Sequence, residues 1–396
     1  MSGSNDTRRT VVVGAGLAGV RCALTLRRLD PERMIVLVGD EPHDTYERPP
    51  LSKEFLLGTR DHHDLRLAGC DRDALRDAGI DLRLGERVAG IEPGLVTLAG
   101  GEQLTTDSIV LATGARPRRI PISADPARVH VLRSLDDATR LRDAVTPGSR
   151  LVIVGSGFVG AEVAGSAHAL GAHVTLVEAA PVPFERTLGA TAGEWLVDRW
   201  REAGIDVRIG APVAAIAHGG SDAPVRVTLA GDEELQADHV LVAIGTVPND
   251  ELFHEAFPAI SAPGRGIPVD ANGRTPIAGV YAVGDAALVH DDHSQAARRV
   301  EHWTDAAAGA QRLARVIAGH EPGARPAPYA WSDQFGLRVQ VTGHVDPEWE
   351  VIVDEATADT LLVRYVDTVG RLRGVTAVGH AATVARYRGE LQAAAA

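Results

Sequence analysis

Short apolar runs closed by glycine turns set the pattern of this chain. The first run, Val11 to Val13, enters a turn carrying Gly14, Gly16 and Gly19. Leu17, Val20, Leu24, Leu26 and Leu29 follow, and this apolar-rich stretch predicts a helix. A second run, Met34 to Val38, leads to Asp40. Strand, glycine turn, helix and strand make the βαβ unit of a dinucleotide site. Gly14 permits the tight turn, Gly16 lets the backbone approach a pyrophosphate, and Gly19 lets helix and strand pack closely. The helix N-terminus offers unpaired N–H groups and a positive dipole end to the phosphates. Asp40, 21 residues beyond Gly19, is spaced to accept hydrogen bonds from ribose hydroxyls.

One such match is weak evidence, but the chain contains it twice. Leu151 to Val154 predicts a strand, Gly155, Gly157 and Gly160 repeat the spacing, and Val174 to Val177 leads to Glu178. The repeat continues beyond the turns. DAGIDLRLG at 77–85 matches EAGIDVRIG at 202–210. VTLAG occurs at 96–100 and 227–231, and IVLATG at 109–114 matches VLVAIG at 240–245. The last two pairs share one offset of 131 residues, Val96 to Val227 and Ile109 to Val240. The halves therefore read as two copies of one unit, each with a βαβ start, a helix, a parallel strand, a short meander and a buried strand ending in glycine. Two copies predict two dinucleotides, each at the carboxyl ends of its strands.

After the second copy, GVYAVGD at 279–285 predicts a strand ending at Gly284 and Asp285, and Trp303 to Ile317 predicts a helix. EPGARPAP at 321–328 reads as a linker. Beyond it Leu337, Val339 and Val341 alternate with polar residues, and Gly370 and Gly374 bracket a turn. This predicts a small antiparallel sheet with a terminal helix. The fold class is thus α/β, with two Rossmann-like domains followed by a C-terminal α+β domain.

Composition narrows the function. At 396 residues the chain has room for two or three domains, and 45% hydrophobic with 23% charged residues suits a globular protein. The formal charge of −13 argues against general nucleic-acid binding. No apolar run is long enough for a membrane span, and MSGSNDTRR leads straight into a strand, so a cytoplasmic location is expected. The two cysteines, Cys22 and Cys70, form no C-x-x-C, and the fifteen histidines show no ligand pattern, so no metal site is expected. Of 40 basic residues only Lys53 is lysine, and it sits in the unusual run Glu47-Arg-Pro-Pro-Leu-Ser-Lys53. In a chain so biased to arginine, the context favours a specific role for an ammonium there.

Taken together, the ordered motifs resemble the FAD-dependent ferredoxin reductases of the putidaredoxin reductase type, within the glutathione reductase-like flavoproteins. The motifs are GAGLAG at 14–19, ERPPLSK at 47–53, ATGARP at 112–117, GSGFVGAE at 155–162, AIGTVPN at 243–249, YAVGDAA at 281–287, EHWTDA at 301–306 and WSDQFG at 331–336. The resemblance runs over essentially the whole chain. It implies FAD on the first unit, NAD on the second, and the NAD unit inserted into the FAD domain. Boundaries follow as 1–115 with 247–322 for FAD, 116–246 for NAD and 323–396 for the C-terminal domain.

The resemblance also implies roles. Gly14, Gly16 and Gly19 would hold the FAD pyrophosphate, with Asp40 or Glu41 on the adenosine ribose. Arg48 and Pro49 would lie against the flavin, and Thr113 and Gly114 would close the unit. Gly284 and Asp285 would meet the ribityl or pyrophosphate side. Glu301, His302 and Trp303 would open a helix facing the flavin pyrimidine edge, where its dipole favours the anionic reduced flavin. Gly155, Gly157 and Gly160 would hold the NAD pyrophosphate, with Gly245 closing that unit. Glu178 would accept the free ribose 2′-OH and repel a 2′-phosphate, so NADH is expected over NADPH, with Arg186 the one nearby residue that weakens this. Lys53 and Glu162 match the family's charge pair near flavin and nicotinamide, either catalytic or a plain ion pair. Trp303 and Trp331 either line the electron exit or pack a domain face.

The implied reaction takes hydride from NADH to flavin and single electrons onward to an iron–sulfur ferredoxin, of [2Fe–2S] type, that feeds an oxygenase such as a cytochrome P450. An acidic ferredoxin meeting this acidic chain needs a basic patch, for which Arg116, Arg118, Arg119, Arg298 and Arg299 are candidates. They equally suit a solvated surface. The protein is expected to be a monomer or weak homodimer. No paired cysteines support a disulfide reductase, and no cysteine in 41–53 supports a peroxide-reducing or water-forming oxidase. A rubredoxin reductase, a Rieske-oxygenase reductase and an NADH-sensing flavoprotein of the apoptosis-inducing-factor kind remain as alternatives.

Overall fold

The computed structural model describes residues 8–120, 127–218, 223–260, 262–290 and 297–394; residues 1–7, the start that suggested no leader, lie outside these. The chain forms two compact units. The first is Met1–Glu47, Arg66–Arg116 and Val247–Pro326, and the second is Arg48–Leu65, Pro117–Thr246 and Ala327–Ala396.

In the first unit five parallel strands lie in the order Val280–Ala282, Ser108–Leu111, Arg9–Val13, Met34–Gly39 and Ile80–Leu84. Their unbroken apolar runs follow from burial on both faces. Val12, Leu37 and Val110 pack under the helices Leu17–Leu29 and Trp303–Ile317. Val11, Val13, Val36 and Leu111 pack on the other face, against the antiparallel strands Val88–Glu92, Leu95–Leu98 and Gln103–Thr105 and the ring of Phe253. The predicted helix at 303–317 is therefore present with those bounds.

The second unit repeats the plan. Its parallel order is Asp206–Ile209, His173–Glu178, Arg150–Val154, His239–Val242 and Val129–His130, with a meander of Val213–His218, Val225–Leu229 and Glu234–Ala237. The C-terminal strands form an antiparallel sheet in the order Tyr329–Gln334, Leu337–Gly343, Leu372–Val378, Leu361–Val366 and Glu350–Ala356, followed by the helix Ala381–Ala394. Gly370 lies in the turn with φ of +78°, but Gly374 lies inside a strand rather than closing that turn. One core joins this sheet to the nucleotide fold. It contains Trp200, Leu196, Val339, Val363 and Tyr365, and the Tyr365 hydroxyl donates to the Leu188 carbonyl.

The packing places Arg48–Leu65 in the second unit, whereas the repeat read along the chain runs it with the first. The reason is hydrophobic. Leu51, Phe55 and Leu56 are fully buried, Leu56 joins the second unit's core, and the Arg142 guanidinium lies 4.4 Å from the Phe55 ring centre.

Candidate active site

The two glycine loops show which glycines the protein itself requires. A Cβ on Gly14 would stand 2.2 Å from the Ala112 carbonyl oxygen, and one on Gly19 would stand 1.9 Å from that of Gly14. In the second loop Gly155 would meet the Ala243 oxygen at 2.5 Å and Gly160 the Gly155 oxygen at 1.9 Å. The middle glycines differ. A Cβ on Gly16 or Gly157 would meet no protein atom within 4 Å. Both cap a helix, and neither makes a side-chain capping bond. The open space beside them and the lack of a capping side chain at each helix start fit a pyrophosphate in each loop.

In the first unit the acids lie at the end of strand Met34–Gly39. Asp40 is exposed, and Glu41 accepts from the Tyr46 hydroxyl at 2.5 Å. Thr113 Oγ1 donates to the Asn249 carbonyl at 2.6 Å, and Asn249 Nδ2 donates to the Thr113 carbonyl at 2.8 Å, so the ATG strand end is tied to the returning chain. Gly114 takes φ of +68° there. Gly284, at φ of +75°, sits beside Ala18, where an added Cβ would come within 3.0 Å of its side chain. Asp285 follows on the same turn. His302 caps the helix Trp303–Ile317, and burial holds its imidazole below the ordinary value despite the pull of Asp305, Asp285 and Glu301. Trp303 is half-buried against the helix core.

The second unit carries the remaining candidates. Glu178 is held by three donors: Ser156 N–H at 2.9 Å, Ser156 hydroxyl at 2.7 Å and Ala180 N–H at 2.9 Å. Gly245, at φ of +91°, closes the last parallel strand and accepts from the Arg118 N–H at 2.9 Å. Arg48 donates to the Arg133 carbonyl at 2.6 Å, and Pro49 opens a short 3₁₀ turn that ends at Ser52. Lys53 Nζ lies 2.8 Å from Glu162 Oε2, with the lysine side chain 12% and the glutamate 7% exposed. Trp331 is half-buried, stacked on Tyr329 with ring centres 6.0 Å apart, and Arg338 lies 5.8 Å from its ring.

Two of the candidate arginines are committed to ion pairs. Arg116 pairs with Glu251 at 2.5 Å and Arg299 with Glu301 at 2.5 Å. Arg116, Arg298 and Arg299 belong to the first unit, and Arg118 and Arg119 to the second. Cys22 and Cys70 are buried thiols, and burial pushes Cys22 up to about 12. Among the described residues no cluster of His, Cys, Asp and Glu is arranged to hold a metal ion, and no helix is long and apolar enough to cross a membrane.

Residues the sequence reading passed over are Ser52, Ser156, Ser166, Ser332 and Gln334, all of which bond to or near the site carboxylates. Ser156 was within reach, because it stands inside the glycine loop. Ser52, Ser332 and Gln334 also stand inside motifs, ERPPLSK and WSDQFG, but nothing local marks their place around Glu162.

Comparison with known proteins matches the family and the fold. The profile of the pyridine nucleotide-disulphide oxidoreductase family matches residues 8–310, and that of the reductase C-terminal domain matches residues 329–396. The chain is 34% identical over 374 residues to the ferredoxin reductase component of chlorobenzene dioxygenase from Cupriavidus sp. (strain PS12), covering 93% of this chain and 88% of that one. It is 34% identical to putidaredoxin reductase of Pseudomonas putida, covering 86% of this chain and 81% of that one. The crystal structure of the covalent putidaredoxin reductase–putidaredoxin complex superposes with a TM-score of 0.92 at 31% identity, covering 98% of this chain and 94% of that one.

Proposed function

Since the chain belongs to the pyridine nucleotide-disulphide oxidoreductase family, as an FAD- and NAD-dependent ferredoxin reductase of the putidaredoxin reductase type, we propose that it draws electrons from NADH and delivers them to a [2Fe–2S] ferredoxin serving a cytochrome P450. The observation that carries the reading is the duplicated loop. Each copy keeps a middle glycine that no protein atom demands, at a helix start with no capping side chain. Bound FAD supplies the exchange between a two-electron hydride donor and a one-electron acceptor.

The chain's own residues supply binding and electrostatics. The loop at Gly14–Gly19 and the turn at Gly284–Asp285 hold FAD, and the loop at Gly155–Gly160 holds NAD. Glu178, fixed by its three donors, accepts the ribose 2′-OH and repels a 2′-phosphate, which selects NADH. Lys53 presents a single ammonium whose position Glu162 fixes, a charge able to respond when hydride brings negative charge to the site. Lys53→Met is expected to slow flavin reduction by NADH about tenfold or more. An unchanged rate removes the catalytic role and leaves a structural ion pair.

A dioxygenase as terminal oxygenase is the second reading, favoured by relatives named as dioxygenase reductase components. Anaerobic stopped-flow tests both. The yellow protein is mixed with NADH, bleaching is followed, and a panel of P450-linked and dioxygenase-linked ferredoxins is then added. Fast reoxidation by one class names the partner. A stable long-wavelength band with no reoxidation by any ferredoxin favours an NADH sensor instead. A colourless protein that FAD does not reconstitute overturns the reading at its first loop.

A further inference from the structure

Glu162 is more than one half of an ion pair. It stands on the helix Phe158–Ala169, is buried, and takes three donors from two segments of the second unit. Its Oε2 accepts from the Ser52 hydroxyl at 2.5 Å and from Lys53 at 2.8 Å. Its Oε1 accepts from the Ser332 hydroxyl at 2.8 Å. One helical turn further, Ser166 donates to the Ser52 carbonyl at 2.8 Å and so fixes the backbone that carries Ser52 and Lys53.

The hydrogen positions in this network follow from chemistry. The indole N–H of Trp200 can only donate, and it lies 2.8 Å from Gln334 Oε1. That fixes the Gln334 amide with its nitrogen turned the other way, toward Ser332 Oγ at 3.4 Å. The Ser332 hydroxyl therefore receives from Gln334 and must send its own proton to Glu162. The chain runs in one direction, from Trp200 through Gln334 and Ser332 to the carboxylate. Ser332 and Gln334 are 0% and 2% exposed, so these bonds are shielded from bulk solvent.

We propose that Ser332, carried on the first strand of the C-terminal sheet, is a positioning residue for the Lys53–Glu162 pair: it holds the Glu162 carboxylate in the orientation that keeps the Lys53 ammonium in place for flavin reduction. The inference rests on the reading of Lys53 and Glu162 as a working pair. Without Ser332 one carboxylate oxygen loses its donor, the side chain is free to turn, and Lys53 loses its fixed partner. The loop Gly155–Gly160 and Glu178 are untouched, so NADH affinity is preserved while the reduction rate falls.

The chain offers an unusually clean probe, because Lys53 is its only lysine. Acylation of the holoenzyme by acetic anhydride, followed at the peptide containing Lys53, reports how firmly that amine is held. Four proteins are compared: wild type, Ser332→Ala, Ser332→Thr and Lys53→Met. Ser332→Ala is expected to slow limiting flavin reduction about fivefold, with half-saturating NADH within about twofold, and to speed Lys53 acylation about fivefold or more. Ser332→Thr, which keeps the hydroxyl, restores both readouts. If Ser332→Ala moves neither readout while Lys53→Met slows reduction, the positioning role is overturned and the working pair stands. Faster acylation with an unchanged reduction rate also overturns it, since the pair is then held without consequence. Slowed reduction with unchanged acylation overturns it too, because the effect then bypasses Lys53. If Lys53→Met itself leaves reduction unchanged, the working-pair reading falls and takes this inference with it.

Discussion

The two nucleotide folds are built to one plan and differ at the end of their second strand. Val13 pairs with Val38 in the first, and Val154 pairs with Val177 in the second. Gly39 and Glu178 therefore occupy equivalent places. Ala15 in the first loop corresponds to Ser156 in the second, and an added Cβ on Gly39 would come within 2.6 Å of the Ala15 methyl. In the second fold a serine stands there and its hydroxyl and N–H take the Glu178 carboxylate. The first fold thus excludes an acid at the strand end and carries Asp40 and Glu41 just beyond it. The second seats its acid directly over the loop. Shared parts remain shared. Asp107 accepts from the Arg9 N–H at 2.6 Å and Asp238 from the Arg150 N–H at 2.8 Å, the same brace between first and last strands. One scaffold keeps its packing residues and differs at the ends of the two second strands.

The sharpest way to break this comparison is to separate packing glycines from ligand glycines. Gly160→Ala places a Cβ 1.9 Å from a backbone oxygen and should cost about 3 kcal/mol or more in urea unfolding. Gly157→Ala has an ordinary φ of −62° and open space, so stability should change by about 1 kcal/mol at most. NADH binding should nevertheless weaken about tenfold or more, because the methyl fills the place of the pyrophosphate. Gly19→Ala and Gly16→Ala should split in the same way for FAD. If Gly157→Ala unfolds as readily as Gly160→Ala, the middle glycine serves packing and the argument for a cradle fails.

Much of this plan was legible in the sequence because its signals are local. Glycine spacing, apolar runs and the offset of 131 residues between repeats need no tertiary information. The acid was harder to place. Counting from the third glycine puts Asp40 at 21 residues and Glu178 at 18, but only the strand pairing shows that Gly39, not Asp40, is the counterpart of Glu178. Around Glu162 only the pairing with Lys53 was legible, and the serines were not. Ser52 and Ser332 stand inside the motifs ERPPLSK and WSDQFG but reach Glu162 from 110 and 170 residues away, and no period in the sequence pairs positions at such a distance. The allegiance of residues 48–65 was hidden for a similar reason, since it is decided by where Leu51, Phe55 and Leu56 find a core.

A middle-sized effect sharpens the contrast at the second strand end. Glu178→Gln keeps the size and removes the charge, so the preference for NADH over NADPH in kcat/KM should fall about thirtyfold, roughly 2 kcal/mol. Ser156→Ala removes one of three donors and leaves both N–H bonds, so the preference should fall only about threefold, roughly 0.6 kcal/mol. Steady-state kinetics with both nucleotides measures each. An unchanged ratio in Glu178→Gln would show that another group, such as the exposed Arg186, sets the choice.

A pH-dependent effect lies at the far edge of the same sheets. Ser108 of the first fold corresponds to His239 of the second, and there the second fold alone builds a histidine pair. His130 Nε2 lies 3.1 Å from His239 Nδ1. Burial, then His239 and Arg140, lower His130 from 6.5 to about 4 against the pull of Asp137. Burial, then Arg128, lowers His239 as well. One ring nitrogen must donate and the other accept, so the pair is intact only while at least one ring is neutral. The unfolded chain takes up a proton on His130 near pH 6.5 and the folded chain only near 4. Stability from this group is therefore fully present above 6.5 and is lost progressively as pH falls toward 4, at up to about 1.4 kcal/mol per pH unit. Urea midpoints between pH 7 and pH 5 should fall in the wild type, and His130→Gln, which cannot take up a proton, should fall less steeply over that window. Equal slopes would place the acid sensitivity elsewhere and leave the histidine pair a packing difference between the two folds.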